Sequence, residues 1–164
     1  MEILIIGKGS IGLRHAKIFK SLGHKISFFR SNNSKINRTK KFREFYHLGE
    51  IKNFFFHLIV IATPTSNHTK DLLKFHDFSD NFLIEKPLFI KKGDIKIFNK
   101  VSKKKNIFSG YMMRFDERIL KIKKIITNKK ILYANFIWDT AMMNWHKYEN
   151  FYDSYTSKKN LAEV

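Results

Sequence analysis

Apolar runs alternate with stretches of helical period from the first residues to about Tyr111, and their order predicts the fold. Ile3-Leu4-Ile5-Ile6 is apolar at every position, as in a strand buried on both faces, and leads directly into Gly7-Lys8-Gly9-Ser10-Ile11-Gly12. From Ile11 to Leu22 the positions Ile11, Ala16, Ile18, Phe19 and Leu22 recur at mostly helical spacing, and Gly23 stands where a glycine closes a helix. Lys25-Ile26-Ser27-Phe28-Phe29 reads as a second strand, completing a β-α-β unit of about thirty residues. Ser31 to Lys41 predicts a polar, basic loop and Phe42 to Leu48 a short helix.

The pattern then repeats. Phe56 to Ala62 is a further buried strand, ended by Thr63-Pro64-Thr65-Ser66-Asn67-His68, in which Pro64 stops the ladder and Thr65 or Ser66 can cap a helix through Leu72, Leu73 and Phe75. Phe82-Leu83-Ile84 is another strand, closed by Glu85-Lys86-Pro87. A helix carrying Ile95, Phe98 and Val101 precedes a strand from Asn106 to Tyr111. Repeated β-α units predict a doubly wound parallel sheet, in which functional residues gather at the carboxyl ends of the strands. Gly7, Thr63, Glu85 and Lys86 all fall there. After Arg114-Phe115 the character changes: a basic helix from Asp116 to Thr127 and a partly alternating, antiparallel-type strand from Ile131 to Trp138 are predicted, and Met142 to Val164 has no clear period. These divisions place one domain at residues 1–109 and the beginning of a second at 110–164.

Composition narrows the class. With 164 residues, 43% hydrophobic and 15% aromatic, the chain can bury one ordinary core, and with no cysteine it has no disulfide, thiolate metal site or cysteine nucleophile. No metal site is expected. No run reaches the ~18 apolar residues of a membrane span and the start lacks a basic signal region, so a cytoplasmic protein without a membrane partner is expected. The formal charge of +18 would ordinarily suggest nucleic acid. However, arginine occurs only at 14, 30, 38, 43, 114 and 118, so all but six of the 32 basic residues are lysine. Abundant Ile, Asn and Phe beside them mark a compositional bias, and no aromatic-glycine motif interrupts the short lysine runs. Nucleic acid is therefore the least favoured partner.

The candidate chemistry begins at Gly7, Gly9 and Gly12. At that spacing the first glycine permits the tight turn, the second lets a pyrophosphate approach the backbone, and the third allows close packing of helix on strand. The helix start, at Ser10 and Ile11, offers unpaired N–H groups to the anion. The plainer alternative is a glycine turn with no ligand. After the second strand stands Arg30-Ser31 rather than an acidic residue; a cation with a hydroxyl suits a 2′-phosphate, favouring NADP over NAD, unless Arg30 is a surface side chain. Lys86, between a carboxylate and a proline at a strand end, can be desolvated and so tuned for acid–base work, or it is one more surface lysine.

Taken together, these segments resemble the Gfo/Idh/MocA oxidoreductases: the glycine turn followed by Arg14-His15, then Ala62 to His68, Glu85-Lys86-Pro87, and Gly110-Tyr111-Met112-Met113-Arg114-Phe115. The resemblance implies an N-terminal Rossmann domain, a C-terminal α/β domain, and hydride transfer between NAD(P) and a hydroxyl or carbonyl carbon of a sugar, cyclitol or sugar nucleotide. It implies that Thr63, Pro64, Asn67 and His68 lie along the nicotinamide half, that Glu85 holds the nicotinamide ribose, and that Lys86 orients the substrate oxygen and takes part in proton transfer. Tyr111 and Arg114 would face substrate, though both suit a structural junction, as His68 suits a packing role.

The resemblance covers about half of such an enzyme. The family's glycine-rich turn, Asp and helical His should begin where Leu161-Ala162-Glu163-Val164 stands, and His146, which precedes that point, does not match the missing histidine. The expectation is a truncated form that binds dinucleotide, with a non-catalytic binding or interaction module as the alternative. Apolar side chains such as Phe136, Trp138 and Trp145 are expected to be left exposed, favouring marginal stability of the last third or association as a homo-oligomer or with a complementary chain.

Overall fold

In a computed structural model of the chain, residues 1–30 and 41–137 are described. The predicted loop from Ser31 (but for Lys41), with Ser31 itself, and the segment from Trp138 onward, including Trp145 and His146, lie outside them. The chain divides into two compact units, Met1–Gly110 and a second that begins at Tyr111.

The first unit is a parallel sheet with helices on both faces. Its elements are β1 (Glu2–Ile6), α1 (Ser10–Ser21), β2 (Lys25–Phe29), β3 (Arg43–Phe45), β4 (Leu58–Ile61), α2 (His68–Phe75), β5 (Asn81–Ile84), α3 (Asp94–Ser102) and β6 (Asn106–Ser109). The six strands stand in the order β3-β2-β1-β4-β5-β6, every pair parallel. That order, with its reversal beside β1, is the order of the Rossmann fold. The fully apolar β1 is central, and its side chains alternate between two cores. Leu4 and Ile6 join Ile59, Ile61, Leu72, Phe75, Phe82 and Phe98 on one face; Ile3 and Ile5 join Ala16, Phe28 and Val60 on the other. Thus α2 and α3 cover one face, and α1 covers the opposite one. That cover thins toward β6, where Phe108 is 57% exposed.

Helix α1 ends as its glycine predicts. The Gly23 N–H reaches the Lys20 carbonyl and the His24 N–H the Phe19 carbonyl, which closes the last turn with a pair of backbone bonds. Ahead of α2 the chain differs in detail from the sequence reading: Thr65–Asn67 form a 3₁₀ turn, and neither Thr65 nor Ser66 caps the helix, whose N-cap position is Asn67.

Two predictions about secondary structure are overturned. Phe42 to Leu48 is not a helix: Arg43–Phe45 pairs with Ser27, Phe28 and Phe29 as β3, and a 3₁₀ turn follows at Leu48–Glu50. Phe45 is buried against Phe54 while Glu44 points to the other side of the strand, so a three-residue alternation and an available sheet edge outweigh the weak helical pattern. Ile131 to Ile137 is not a strand either. No described strand pairs with it, and its apolar side chains, Phe136 among them, are exposed.

The second unit contains a 3₁₀ turn at Met112–Phe115 and α4 (Glu117–Ile126). Asp116 caps α4 by accepting the Arg118 N–H at 2.9 Å and also pairs with the Arg118 guanidinium. Among the described residues no helix is long and apolar enough to cross a membrane.

The two faces of α2 give a direct test of this packing. Phe75→Ala removes a ring that is 1% exposed and packed edge-on to Phe29, and lowers stability by ~3–5 kcal/mol. Leu73→Ala, at a position 45% exposed on the same helix, changes it by less than ~0.5 kcal/mol. Urea unfolding midpoints of the two variants check the contrast.

Candidate functional site

At the carboxyl edge of the sheet the glycine turn is shaped by two close backbone approaches. Gly7 has φ +95°, and a Cβ there would lie 2.7 Å from the Ala62 carbonyl oxygen. A Cβ on Gly12 would lie 2.1 Å from the Gly7 carbonyl oxygen, so α1 reaches β1 only because position 12 has no side chain. Gly9 is different. A Cβ there would meet nothing within 4 Å, and Gly9, Ser10 and Ile11 are exposed. The fold therefore needs the first and third glycines for itself, and leaves open space in front of the second. Gly9 is the N-cap of α1, brings no side chain to the helix start, and no acidic residue occupies the first turn, so the leading N–H groups face that space with the positive end of the helix dipole. This is a fit for an anionic group held by backbone.

The end of β2 carries a charge cluster that the sequence did not disclose. Arg30 is 6% exposed, not a surface residue, and its Nη1 donates to Oε2 of Glu44 at 2.8 Å. The Lys8 ammonium, from the glycine turn, donates to Oε1 of the same carboxylate, and the Tyr46 hydroxyl donates to Oε2 at 2.8 Å. Burial alone would raise the Glu44 pKa, but the hydrogen bonds from Lys8, Arg30 and Tyr46, with the Lys8 charge, hold it at about 2 instead of 4.5. Glu44 was not a candidate because β3 itself was not foreseen.

Between β4 and α2, Thr63 and His68 fasten the loop from inside. The Thr63 hydroxyl donates to Oδ2 of Asp71 at 2.7 Å. Burial raises the Asp71 pKa, against the lowering effects of that bond and of the Lys74 and His68 charges. His68 is 1% exposed; its Nε2 lies 2.9 Å from the Thr63 carbonyl and its Nδ1 3.1 Å from the Pro87 carbonyl. It thus bridges the loops after β4 and β5 from beneath, while Pro64 and Asn67 are exposed above them.

After β5, Glu85 lies 2.7 Å, Oε1 to Nε2, from His15 of α1, and its Oε2 accepts the Lys86 N–H at 3.3 Å. Burial would raise the Glu85 pKa; the His15 hydrogen bond and charge, aided by Lys86, bring it below the usual value. Lys86 itself is exposed, which matches the surface alternative rather than the desolvated setting. Tyr111 and Arg114 belong to the second unit, at its 3₁₀ turn, and both are exposed.

No family model matches this sequence, and no curated protein matches it. Solved structures do. The myo-inositol 2-dehydrogenase of Lactobacillus plantarum superposes with a TM-score of 0.64 at 25% identity, over 78% of this chain and 41% of that one. The WlbA dehydrogenase of Bordetella pertussis, in complex with NADH and UDP-GlcNAcA, gives 0.66 at 18% identity, over 77% and 41%. An NAD-binding protein of Listeria innocua gives 0.63 at 19% identity, over 77% and 40%. The chain spans about two fifths of the length of these structures, and shares with them the Rossmann-type α/β fold.

The Glu44 cluster predicts an acid-sensitive stability. A carboxylate whose folded pKa lies below its unfolded value stabilises the fold above about 4.5, and this contribution is lost as pH falls toward about 2. Glu44→Ala, which leaves two cations without their shared partner, is expected to lower stability at pH 7 by ~3 kcal/mol. The gap between variant and wild type should narrow between pH 4.5 and 3 in urea titrations; a gap independent of pH would refute the assignment.

Proposed function

We propose that this chain binds a dinucleotide, NAD(P), as the cofactor-binding part of an oxidoreductase of the Gfo/Idh/MocA type. The observation that carries the reading is the contrast among the three glycines: Gly7 and Gly12 are explained by protein packing, whereas Gly9 borders open space at an uncapped helix start. A pyrophosphate there takes the N–H groups of Ser10, Ile11 and Gly12. Arg30, just past the end of β2, lies at the adenosine end in this reading. After β2 the sequence has Arg30-Ser31 where an acidic residue would accept the adenosine ribose hydroxyls, and a cation with a hydroxyl supports NADP over NAD.

Thr63, Pro64 and Asn67 border the nicotinamide side in this reading, with His68 supporting them from below and Glu85 accepting from the nicotinamide ribose. Bound nicotinamide supplies or accepts hydride. Lys86 orients the oxygen of a sugar, cyclitol or sugar-nucleotide substrate, and Tyr111 and Arg114 are assigned to substrate by the same resemblance. Binding is the activity assigned to the chain as given, because exposed Lys86 lacks the desolvated setting in which a lysine serves proton transfer. Similarity to dehydrogenases, one named for myo-inositol and one complexed with a UDP-sugar acid, supports the substrate class.

Fluorescence titration with NADPH and NADH tests the reading. Saturable binding is expected, tighter for NADPH, and Gly9→Trp should weaken it at least ~10-fold while leaving the unfolding free energy within ~0.5 kcal/mol of wild type. Absence of binding by the folded wild-type chain, or undiminished binding by the Trp variant, would overturn it.

A further inference from the structure

Glu85 is held by groups from two separate elements and closely packed by a third. His15 comes from α1 and the Lys86 N–H from the continuation of β5, while Gly110, just past β6, approaches so closely that a Cβ there would lie 3.1 Å from Oε2 of Glu85. The His15 ring is itself steadied by stacking on Phe19, with centroids 6.1 Å apart. The pair sits at the rim, its side chains 19% and 20% exposed, so it is fixed without being sealed in the core. An ionised carboxylate offers about four lone-pair sites, and the contacts above use only two.

We propose that His15 is a positioning residue: its hydrogen bond fixes the Glu85 carboxylate so that the remaining lone pairs are presented to the vicinal hydroxyls of a ribose. This rests on the dinucleotide reading above and deepens it. The same helix whose first N–H groups face the open space at Gly9 then also sets the orientation of the hydroxyl-accepting carboxylate. His15 lies five residues beyond Ser10, about 7.5 Å along the axis, so one rigid element spaces the two subsites. A carboxylate without this restraint would have to be ordered by the ligand, at a cost in affinity confined to the ribose it contacts.

The test uses the full chain and three probes: NADH, ADP-ribose, and ADP, which lacks the second ribose. His15→Phe keeps a ring against Phe19 but no donor; His15→Gln keeps a donor. The Phe variant is expected to weaken NADH and ADP-ribose about 10-fold and ADP less than about 2-fold, and Gln to recover most of the loss. Equal weakening of all three probes, no weakening of any, or a selective loss that Gln does not recover would each overturn the proposal. If the Phe variant does not fold, His15→Leu is read in its place. Wild-type chain that binds none of the probes would overturn the dinucleotide reading itself, whereas wild-type binding with a failed His15 series removes only this inference.

Discussion

Parallel pairing in this sheet continues one residue past the end of its strands. The Gly7 N–H reaches the Phe29 carbonyl, Arg30 reaches Phe45, Ala62 reaches Ile6, Glu85 reaches Ile61 and Gly110 reaches Ile84. Each bond fixes the first residue beyond a strand, and those residues open the glycine turn, the Arg30 cluster, the Thr63 loop, the carboxylate and the glycine packed against it. The loops therefore inherit their geometry from the ladder. Because every bond comes from the neighbouring strand, residues as distant in sequence as Gly7 and Glu85 are held to each other through the backbone.

On this frame the acidic side chains act as ties. The chain has only 14 Asp and Glu against 32 Lys and Arg. Three of them stand at the carboxyl edge and add side-chain ties to those of the backbone: Glu44 ties the glycine turn to β2 and β3, Asp71 ties Thr63 to α2, and Glu85 ties α1 to β5. In a strongly cationic chain these carboxylates have no lack of partners, and geometry decides which donor each one takes.

Much of this was legible in the sequence for a simple reason. Ile3 to Ile6 has one reading, a strand covered on both faces, and a glycine triplet following it constrains the turn. What was hidden depended on partners far away in the chain. Arg43–Phe45 becomes a strand because β2 offers it an edge. Arg30 was visible as a cation, but its burial against Glu44 was not. His15 was visible beside the glycine motif without any sign of Glu85, seventy residues later. For Lys86 the neighbours in sequence leave both a desolvated and a surface setting open, since exposure is set by what packs over a strand end, which local sequence does not state. The alternation from Ile131 was real, but period alone forms no strand where no ladder receives it.

The outermost strands have a bearing on how this chain behaves among its own copies. β3 offers only three residues, and its Arg43 lies 4.7 Å and 4.8 Å from the ring centres of Phe45 and Phe54, so a charge is pinned over the apolar rim. β6 offers four and is preceded by Lys103-Lys104-Lys105. Strand addition from a neighbouring molecule would bring like charges together along a short run of hydrogen bonds. Among the described residues the sheet thus ends in two short strands flanked by positive charge, and like charge along such edges opposes growth edge to edge.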